Sequence, residues 1–429
     1  SETVVTRTIN AHRLLHWAQR YQKMSELKEA FLHANFTLVQ DLNNFETLAD
    51  ICQQVGLPKE EALAVLNSNQ FAAEVDEDQY TAQQFGVRGV PYFVFNRKYA
   101  LSGAQPIEAF VQTLQAAAKK INKLNGSGSI KIILSEGLYD LNETADFNPI
   151  NWNFSKDARL TITAEILPND SLWEPGKMPI IISSMPFNLD RNNKNEVTGG
   201  SNYGILIQTS HVTIQGLRIL GEPVHELPKY GVLIRNYPIV WEGKNLSDLR
   251  VTQCLFLGNQ FALPNHLGIL ANGKQLEVDH CVFYGVKDAV VMWNSPAEQS
   301  SMHHNLVLNS YGAAVWTWST TPDFKFYNNV LSGINVFWVL EKEAKNSYQI
   351  QNSLLVGYNE LVNQGGGPQD FGTPADPKKL VYKSDFVVQK SGGLAIEEDQ
   401  TSRFYLQLKP GTLGTSYGAG LFYKSSHEK

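Results

Sequence analysis

The sequence predicts a mainly β chain: a solenoid of stacked parallel strands, a β-helix, preceded by a mostly helical module. Three observations carry the prediction. Six segments between Val212 and Gly357 are alike, VTIQGLRILG, RVTQCLFLG, EVDHCVFYG, MHHNLVLN, FYNNVLSG and IQNSLLVG. Each is a short apolar strand with a polar interruption near its middle and Gly or Asn at its end. The last four terminators, Gly285, Asn309, Gly333 and Gly357, follow at intervals of 24 residues, and the earlier Gly221 and Gly258 stand wider apart, as rungs with inserted loops do. A fixed period of strand-like segments that tolerates insertions is the mark of stacked repeats.

Five residues before each terminator stand Gly216, Gln253, His280, His304, Asn328 and Asn352. Stacked rungs bring equivalent side chains to about 4.8 Å of one another, which suits a structural ladder of amides and imidazoles. One position later, Cys254 and Cys281 share a column and are expected to remain free thiols, since packed in-register side chains offer a poor disulfide geometry.

The 429 residues leave room for two or three domains with ample core, and the net charge of −6 comes without a long run of one sign. No basic face points to nucleic acid, and no apolar run reaches the roughly 18 residues of a membrane span. The opening SETVVTRTINAHRLL lacks the layout of a signal peptide. Cys52, Cys254 and Cys281 form no C-x-x-C pair and no metal-ligand spacing.

Residues 1–85 read as helices. Leu14, Leu15, Trp17 and Ala18 form a helical stripe, Ser25 is placed to cap SELKEAFLHANF, and Asn43 with Glu46 resembles a capping box. Gly56 ends that helix, Pro58 opens another, and a further helix runs to Phe85 and stops at Gly86. Two strands follow, Tyr92–Phe95 and Tyr99–Ser102 across a tight turn, then a helix from Pro106 to about Asn122. Gly126-Ser127-Gly128-Ser129 reads as a flexible joint closing a first domain of residues 1–125. Beyond it, residues 130–429 form the solenoid. IKIILSEGLYDL opens it, Arg159–Ala164 and Pro179–Ser184 continue it, and Phe187–Gly200 reads as a protruding loop. Gly365-Gly366-Gly367-Pro368 breaks the pattern, and 379–429 closes the C-terminal end.

The repeats resemble the right-handed parallel β-helix proteins of the pectate-lyase-like class, which includes lyases, hydrolases, epimerases and non-catalytic binders. The helical part carries a second resemblance, on Asn10-Ala11-His12-Arg13-Leu14, Gly89-Val90-Pro91-Tyr92-Phe93-Val94 and Ser102-Gly103-Ala104-Gln105-Pro106. These segments look like the DsbA-like, FrnE-type branch of the thioredoxin superfamily. The resemblance implies a cis Val90–Pro91 bond beside a redox site. It also implies a first strand and a C-x-x-C motif upstream of the matching segment, and this chain carries neither. Thiol–disulfide exchange needs an accessible thiolate and a resolving partner, so no oxidoreductase activity is expected of this half.

Glu277-Val278-Asp279-His280-Cys281 with Asp288 is similar to the pectate-lyase strand that binds a cation, which implies Ca²⁺ on Asp279 and Asp288. The alternative makes Asp279 a turn residue and His280 a ladder member. β-Elimination from a uronate needs a base and a cation that neutralises the carboxylate, and Lys287, Lys325 and Lys342 are the nearby cations. Hydrolysis needs two carboxyl groups, available among Asp288, Asp323, Glu341 and Glu360. Lys287, Asp288, Asp323 and Glu341 are therefore the candidate catalytic set. Trp293, Trp316, Trp318 and Trp338 fall in corresponding strands of consecutive rungs, with Tyr311 and Tyr358 nearby. Facing outward they would form a platform for sugar rings, and facing inward they would fill the core. The expected partner is an extracellular acidic polysaccharide, degraded or simply bound, which makes a secreted or periplasmic location the expectation.

Overall fold

The computed structural model describes residues 8–21, 23–84, 92–95, 99–102, 107–221, 232–260, 265–293, 298–318, 323–344, 348–367, 371–382 and 385–423. The chain divides into two compact units, Ser1–Gln105 and Pro106–Lys429.

The first unit is built from α1 (Ile9–Ala18), α2 (Met24–Phe36), α3 (Phe45–Gln54), α4 (Lys59–Leu66) and α5 (Ala72–Gln84). Leu14, Trp17, Leu27, Phe31, Leu48, Ile51, Cys52, Val65 and Leu66 form its core, so the stripe read from the sequence is the buried face. The α3 cap is Asn44 rather than Asn43: its side chain accepts from the N–H groups of Glu46 and Thr47 at 2.9 and 3.3 Å. Met24, not Ser25, opens α2, and Lys23 in front of it makes no side-chain cap bond. Arg13 is buried and donates to the carbonyls of Val65, in the last turn of α4, and of Ser68 and Gln70 just after it. Burial pushes the Cys52 thiol up to about 12, which leaves it unreactive. β1 (Tyr92–Phe95) and β2 (Tyr99–Ser102) pair antiparallel, as expected. The Val90–Pro91 bond and Gly86 lie outside the described residues.

The second unit begins with α6 (Ile107–Ile121), whose Leu114, Ala118 and Ile121 are buried in the solenoid core. Asn122 fixes the helix end, donating to the Asp146 carbonyl at 2.8 Å and accepting from the Asn148 N–H at 2.8 Å. An amphipathic helix over the first rung covers backbone and apolar surface that an open end would expose. The second compact unit thus begins at Pro106, ahead of the Gly/Ser run. Nor is the Gly/Ser run a free joint. Gly126–Ser127 pairs with Trp152–Asn153, and the Trp152 indole donates to the Gly128 carbonyl at 3.0 Å.

The rungs of the solenoid contribute to three faces, the last of them, Leu380–Tyr382 with Phe386–Gln389, to the first two. On the first face, nine parallel strands stack in the order Ile130–Leu134, Leu160–Ala164, Val212–Gln215, Ser247–Thr252, Lys274–Asp279, Ser300–His303, Phe324–Tyr327, Tyr348–Gln351 and Leu380–Tyr382. The second and third faces form one continuous sheet of eighteen strands among the described residues. Inward columns such as Ile214–Val251–Val278–Met302–Phe326–Ile350 fill the interior, as the two-residue period of a strand requires. Phe187–Gly200 is more ordered than a loop, since Asn188–Arg191 pairs antiparallel with the start of Val197–Ile207.

The column of Gly216, Gln253, His280, His304, Asn328 and Asn352 is the corner between the first and second faces. All six have positive φ, between 38° and 75°. A left-handed residue costs an ordinary side chain about 1–2 kcal/mol, least for Asn and nothing for Gly, so the ladder compensates where Gln and His stand. The His280 and His304 rings stack with centroids 4.8 Å apart, Asn328 Nδ2 lies 2.8 Å from His304 Nε2, and Asn352 Nδ2 donates to Asn328 Oδ1. Most terminators form the second left-handed corner. Gly221, Gly285, Asn309, Gly333 and Gly357 have φ between 54° and 71°. At Gly333 a Cβ would stand 2.4 Å from Asn309 Oδ1, so the close approach needs glycine.

The C-terminal segment does more than close an end. Leu406 and Leu421 lie over the outward column Leu255–Val282–Leu306–Val330–Leu354, and Tyr423 reaches Asn169, whose Oδ1 accepts its N–H at 3.1 Å. The second-face strands are apolar on both sides, and the returning chain supplies the missing cover.

Candidate functional site

The register of the third face decides which tryptophans are available. Ile205, Ile239, Ile269, Val290, Val315, Trp338 and Val362 form one column, and Leu206, Val240, Leu270, Val291, Trp316, Val339 and Asn363 form the next. The first column points inward. Trp338 is fully buried against Phe324, Phe326, Phe337 and Tyr348, so it is core and not part of a binding platform. The second column points outward and brings Trp316 beside Trp293 and Trp318. The Trp293 and Trp318 rings stack at 4.6 Å and 18°, and Trp316 lies 6.3 Å from Trp293.

Trp293 and Trp316 border a cavity of about 210 Å³ that also receives Tyr203, Arg235, Tyr237, Glu242, Lys287 and Asp288, and Trp318 reaches it only through its stacking on Trp293. Asp288 enters the wall because Gly312 on the next rung has no Cβ, which would stand 2.5 Å from Asp288 Oδ1. That oxygen accepts from the Ala313 N–H at 2.7 Å and the Trp316 indole N–H at 3.1 Å. Burial raises the Asp288 carboxyl, against the pull of Lys287 and these two donors. Burial lowers the Lys287 ammonium; Asp288 opposes the shift and Arg235 adds to it. Arg235 bonds Asp190 at 3.2 Å and the Tyr237 hydroxyl at 3.4 Å. The arrangement is a concave apolar wall with two cations and a buried carboxyl, the composition of a small-molecule or sugar subsite.

The remaining candidates do not join it. Asp323 is exposed where it leads into the first-face strand Phe324–Tyr327, Lys325 is exposed on that face, and Glu341 and Lys342 follow the end of a third-face strand. Glu360 is exposed in the column of Ala313 and Val336, three positions before that of Trp316. Tyr311 and Tyr358 line a different groove, along the second corner.

Asp279 and Asp288 have separate partners. Asp279 is fully buried and accepts from Arg250 at 2.8 and 2.9 Å, from Thr252 at 2.8 Å, and faces His280 Nδ1 at 2.9 Å. Burial works to raise its pKa, but the bonds from His280 and Arg250 outweigh it and hold the carboxyl well below the usual range. Ca²⁺ takes six to eight oxygen ligands. Asp279 is instead held by a guanidinium, and Asp288 Oδ1 by two N–H donors. The shared Ca²⁺ site expected on these two residues therefore does not fit the geometry.

Sequence reasoning missed Tyr203, Arg235, Tyr237 and Glu242. They stand on the long strands Val197–Ile207 and Leu233–Trp241 or just after, in rungs widened by insertions. The signal available was the pairing of Tyr203 with Tyr237, two aromatics at matching positions of neighbouring strands.

Residues 2–115 match the family model described as a DSBA-like thioredoxin domain, and residues 188–331 match the right handed beta helix region. No curated protein matches this chain. No helix among the described residues is long and apolar enough to cross a membrane. The fold is a right-handed parallel β-helix preceded by a helical module similar to a DsbA-like domain.

Proposed function

We propose that the third face of the β-helix binds an acidic polysaccharide, with Trp293 and Trp318 stacking on sugar rings, the buried Trp316 supporting them, and Arg235 and Lys287 holding a uronate carboxylate. The observation that carries this reading is that Trp293, stacked on the partly exposed Trp318, lines one cavity with the cations Arg235 and Lys287. Indole faces match the apolar faces of pyranose rings, and a stacked ring is worth about 0.5–1.5 kcal/mol beyond its buried area. Equivalent positions on successive rungs form one continuous surface, which suits an elongated ligand.

Calorimetric titration with a uronic-acid polymer and with the same polymer after carboxyl reduction tests the reading. Binding of the acidic form alone is the expected result. Equal binding of both forms, or of neither, contradicts it.

The lowered ammonium of Lys287 favours a second reading, β-elimination at this site. The neutral amine takes the proton next to the uronate carboxyl, and Arg235 neutralises the charge that develops there. The C–H electron pair becomes the new double bond as the glycosidic C–O bond breaks, and the leaving oxygen takes a proton from solvent. Rising ultraviolet absorbance from unsaturated ends supports this second reading. Its absence under tight binding leaves a carbohydrate-binding solenoid.

A further inference from the structure

Well away in register from the tryptophans, at the first corner, three histidines meet: His280, His303 and His304 each offer a ligand nitrogen, all within 4.8 Å of one another. The corner ladder accounts for His280 and His304, whose equivalents are Gln253, Asn328 and Asn352. It does not account for His303, which belongs to the outward column of the first face with Thr252, Asp279 and Tyr327. His303 turns toward its sequence neighbour, and the two Nδ1 atoms lie 2.9 Å apart with the rings at 85°.

The far nitrogens are already held. His303 Nε2 faces Glu277 Oε1 at 3.1 Å, and His304 Nε2 faces the Asn328 amide at 2.8 Å. A carboxylate on the remote nitrogen of an imidazole fixes its tautomer and raises its basicity as a metal ligand. Two nitrogens about 2.1 Å from one ion and at a right angle to each other stand about 3 Å apart, the spacing found here, and tetragonal N-ligand sets are those of Cu²⁺ and Ni²⁺.

We propose that His303 and His304 chelate one divalent late-transition metal ion through their Nδ1 atoms, Cu²⁺ most tightly. The ring of His280, stacked on His304 at 7°, forms the wall of this site and becomes a third ligand if it turns about its Cβ–Cγ bond. The ion displaces the single proton shared between the two Nδ1 atoms. That proton moves to His304 Nε2, the Asn328 amide turns to present Oδ1 to it, and the Asn352 amide turns in step so that its Oδ1 accepts from Asn328 Nδ2; the exchange leaves both imidazoles neutral. Tyr423 from the C-terminal segment lies 4.2 Å from the His280 ring and covers this corner.

The test is a titration of the full chain with Cu²⁺, read by electron paramagnetic resonance and competition calorimetry. One bound ion with hyperfine splitting from two or three nitrogens is expected. The variants His304→Asn and His303→Gln carry residues that equivalent corners and strand ends already use, as at Asn328 and Gln351, so the fold is retained. Each is expected to weaken Cu²⁺ at least tenfold, while His33→Ala in α2 leaves it unchanged. A wild-type spectrum without nitrogen splitting overturns the proposal, as does unchanged affinity in folded His303→Gln and His304→Asn chains. Should either variant unfold, the nitrogen count in the wild type decides alone.

Discussion

Asn329 Oδ1 accepts both the backbone N–H and the side-chain Nδ2–H of Asn305, each at 3.0 Å, in the interior of the solenoid. The same pattern runs along the column: the Cys281 N–H donates to Asn305 Oδ1 and the Asn329 N–H to Ser353 Oγ. The spare Asn329 amide hydrogen reaches the Met302 carbonyl at 2.8 Å, so no polar atom in this buried ladder is wasted. Asn329→Ala removes the acceptor of the buried Asn305 backbone N–H, while the Asn305 amide keeps the Val278 and His303 carbonyls at 2.9 Å. A loss of about 1–3 kcal/mol for the unpaired donor is expected, read as a lower urea midpoint with an unchanged slope.

Trp338 and Trp318 differ in face and so in consequence. Trp338→Ala opens a cavity in the core and is expected to cost about 3–5 kcal/mol of stability. Trp318→Ala is expected to unfold at nearly the parent temperature and to bind an acidic glycan about three- to tenfold more weakly. Thermal unfolding followed by circular dichroism, with glycan titration, separates the two effects.

The lowered ammonium of Lys287 gives glycan binding a pH dependence. As pH rises, Lys287 loses its charge before an ordinary lysine does, near 10.4. Affinity for a uronate polymer is therefore expected to fall on the alkaline side in the parent and to stay level in Lys287→Arg, which remains charged. Parallel slopes in the two proteins would remove Lys287 from carboxylate recognition.

Asp248 sits between Arg159 at 2.6 Å and His211 at 2.8 Å. Burial works to raise its pKa, and the bonds from these two residues more than reverse that, so the folded value is depressed. A depressed carboxyl contributes stability that is full above the unfolded value, near 3.9, and is lost as pH falls through the folded value. Asp248→Asn, whose side chain tolerates the φ of 67° at this position, should therefore lower stability at pH 6 and make little difference well below pH 4. Denaturant midpoints of both proteins across that range check the sign.

The three cysteines are buried and free. Burial drives Cys281 well above the ordinary thiol range, with Cys254 beside it adding to the shift. Thiol titration is expected to find three thiols in denaturant and none reacting quickly in the native chain. Insulin reduction is expected to stay at the level of a Cys-free control.

The period of the solenoid was legible because Gly and Asn mark left-handed corners every 24 residues, and the column with Gln253, His280 and His304 was legible by counting from them. That this column is itself a corner was harder to see, because Gln253 and the two histidines interrupt the Gly216, Asn328 and Asn352 signal for positive φ. The tryptophan parity was hidden for a different reason. Segments such as FWVLE are apolar on both faces, since Val339 and Trp316 cover the outside while Trp338 and Val315 fill the inside, so alternation offers no polar residue to read. The helix α6 followed the thioredoxin-like segments in the sequence. Only its contacts through Leu114, Ala118 and Ile121 reveal it as the cover of the first rung.

The central claim, that the third face recognises an acidic glycan through outward indoles, is tested most directly on a Trp293→Ala/Trp318→Ala chain. Both rings are half-buried on the rim of the outward cluster and contribute nothing to the solenoid interior, so circular dichroism should match the parent. Calorimetric titration with a uronic-acid oligomer should then show at least a tenfold loss of affinity relative to the parent. Parent-like affinity in the folded double variant would contradict the account.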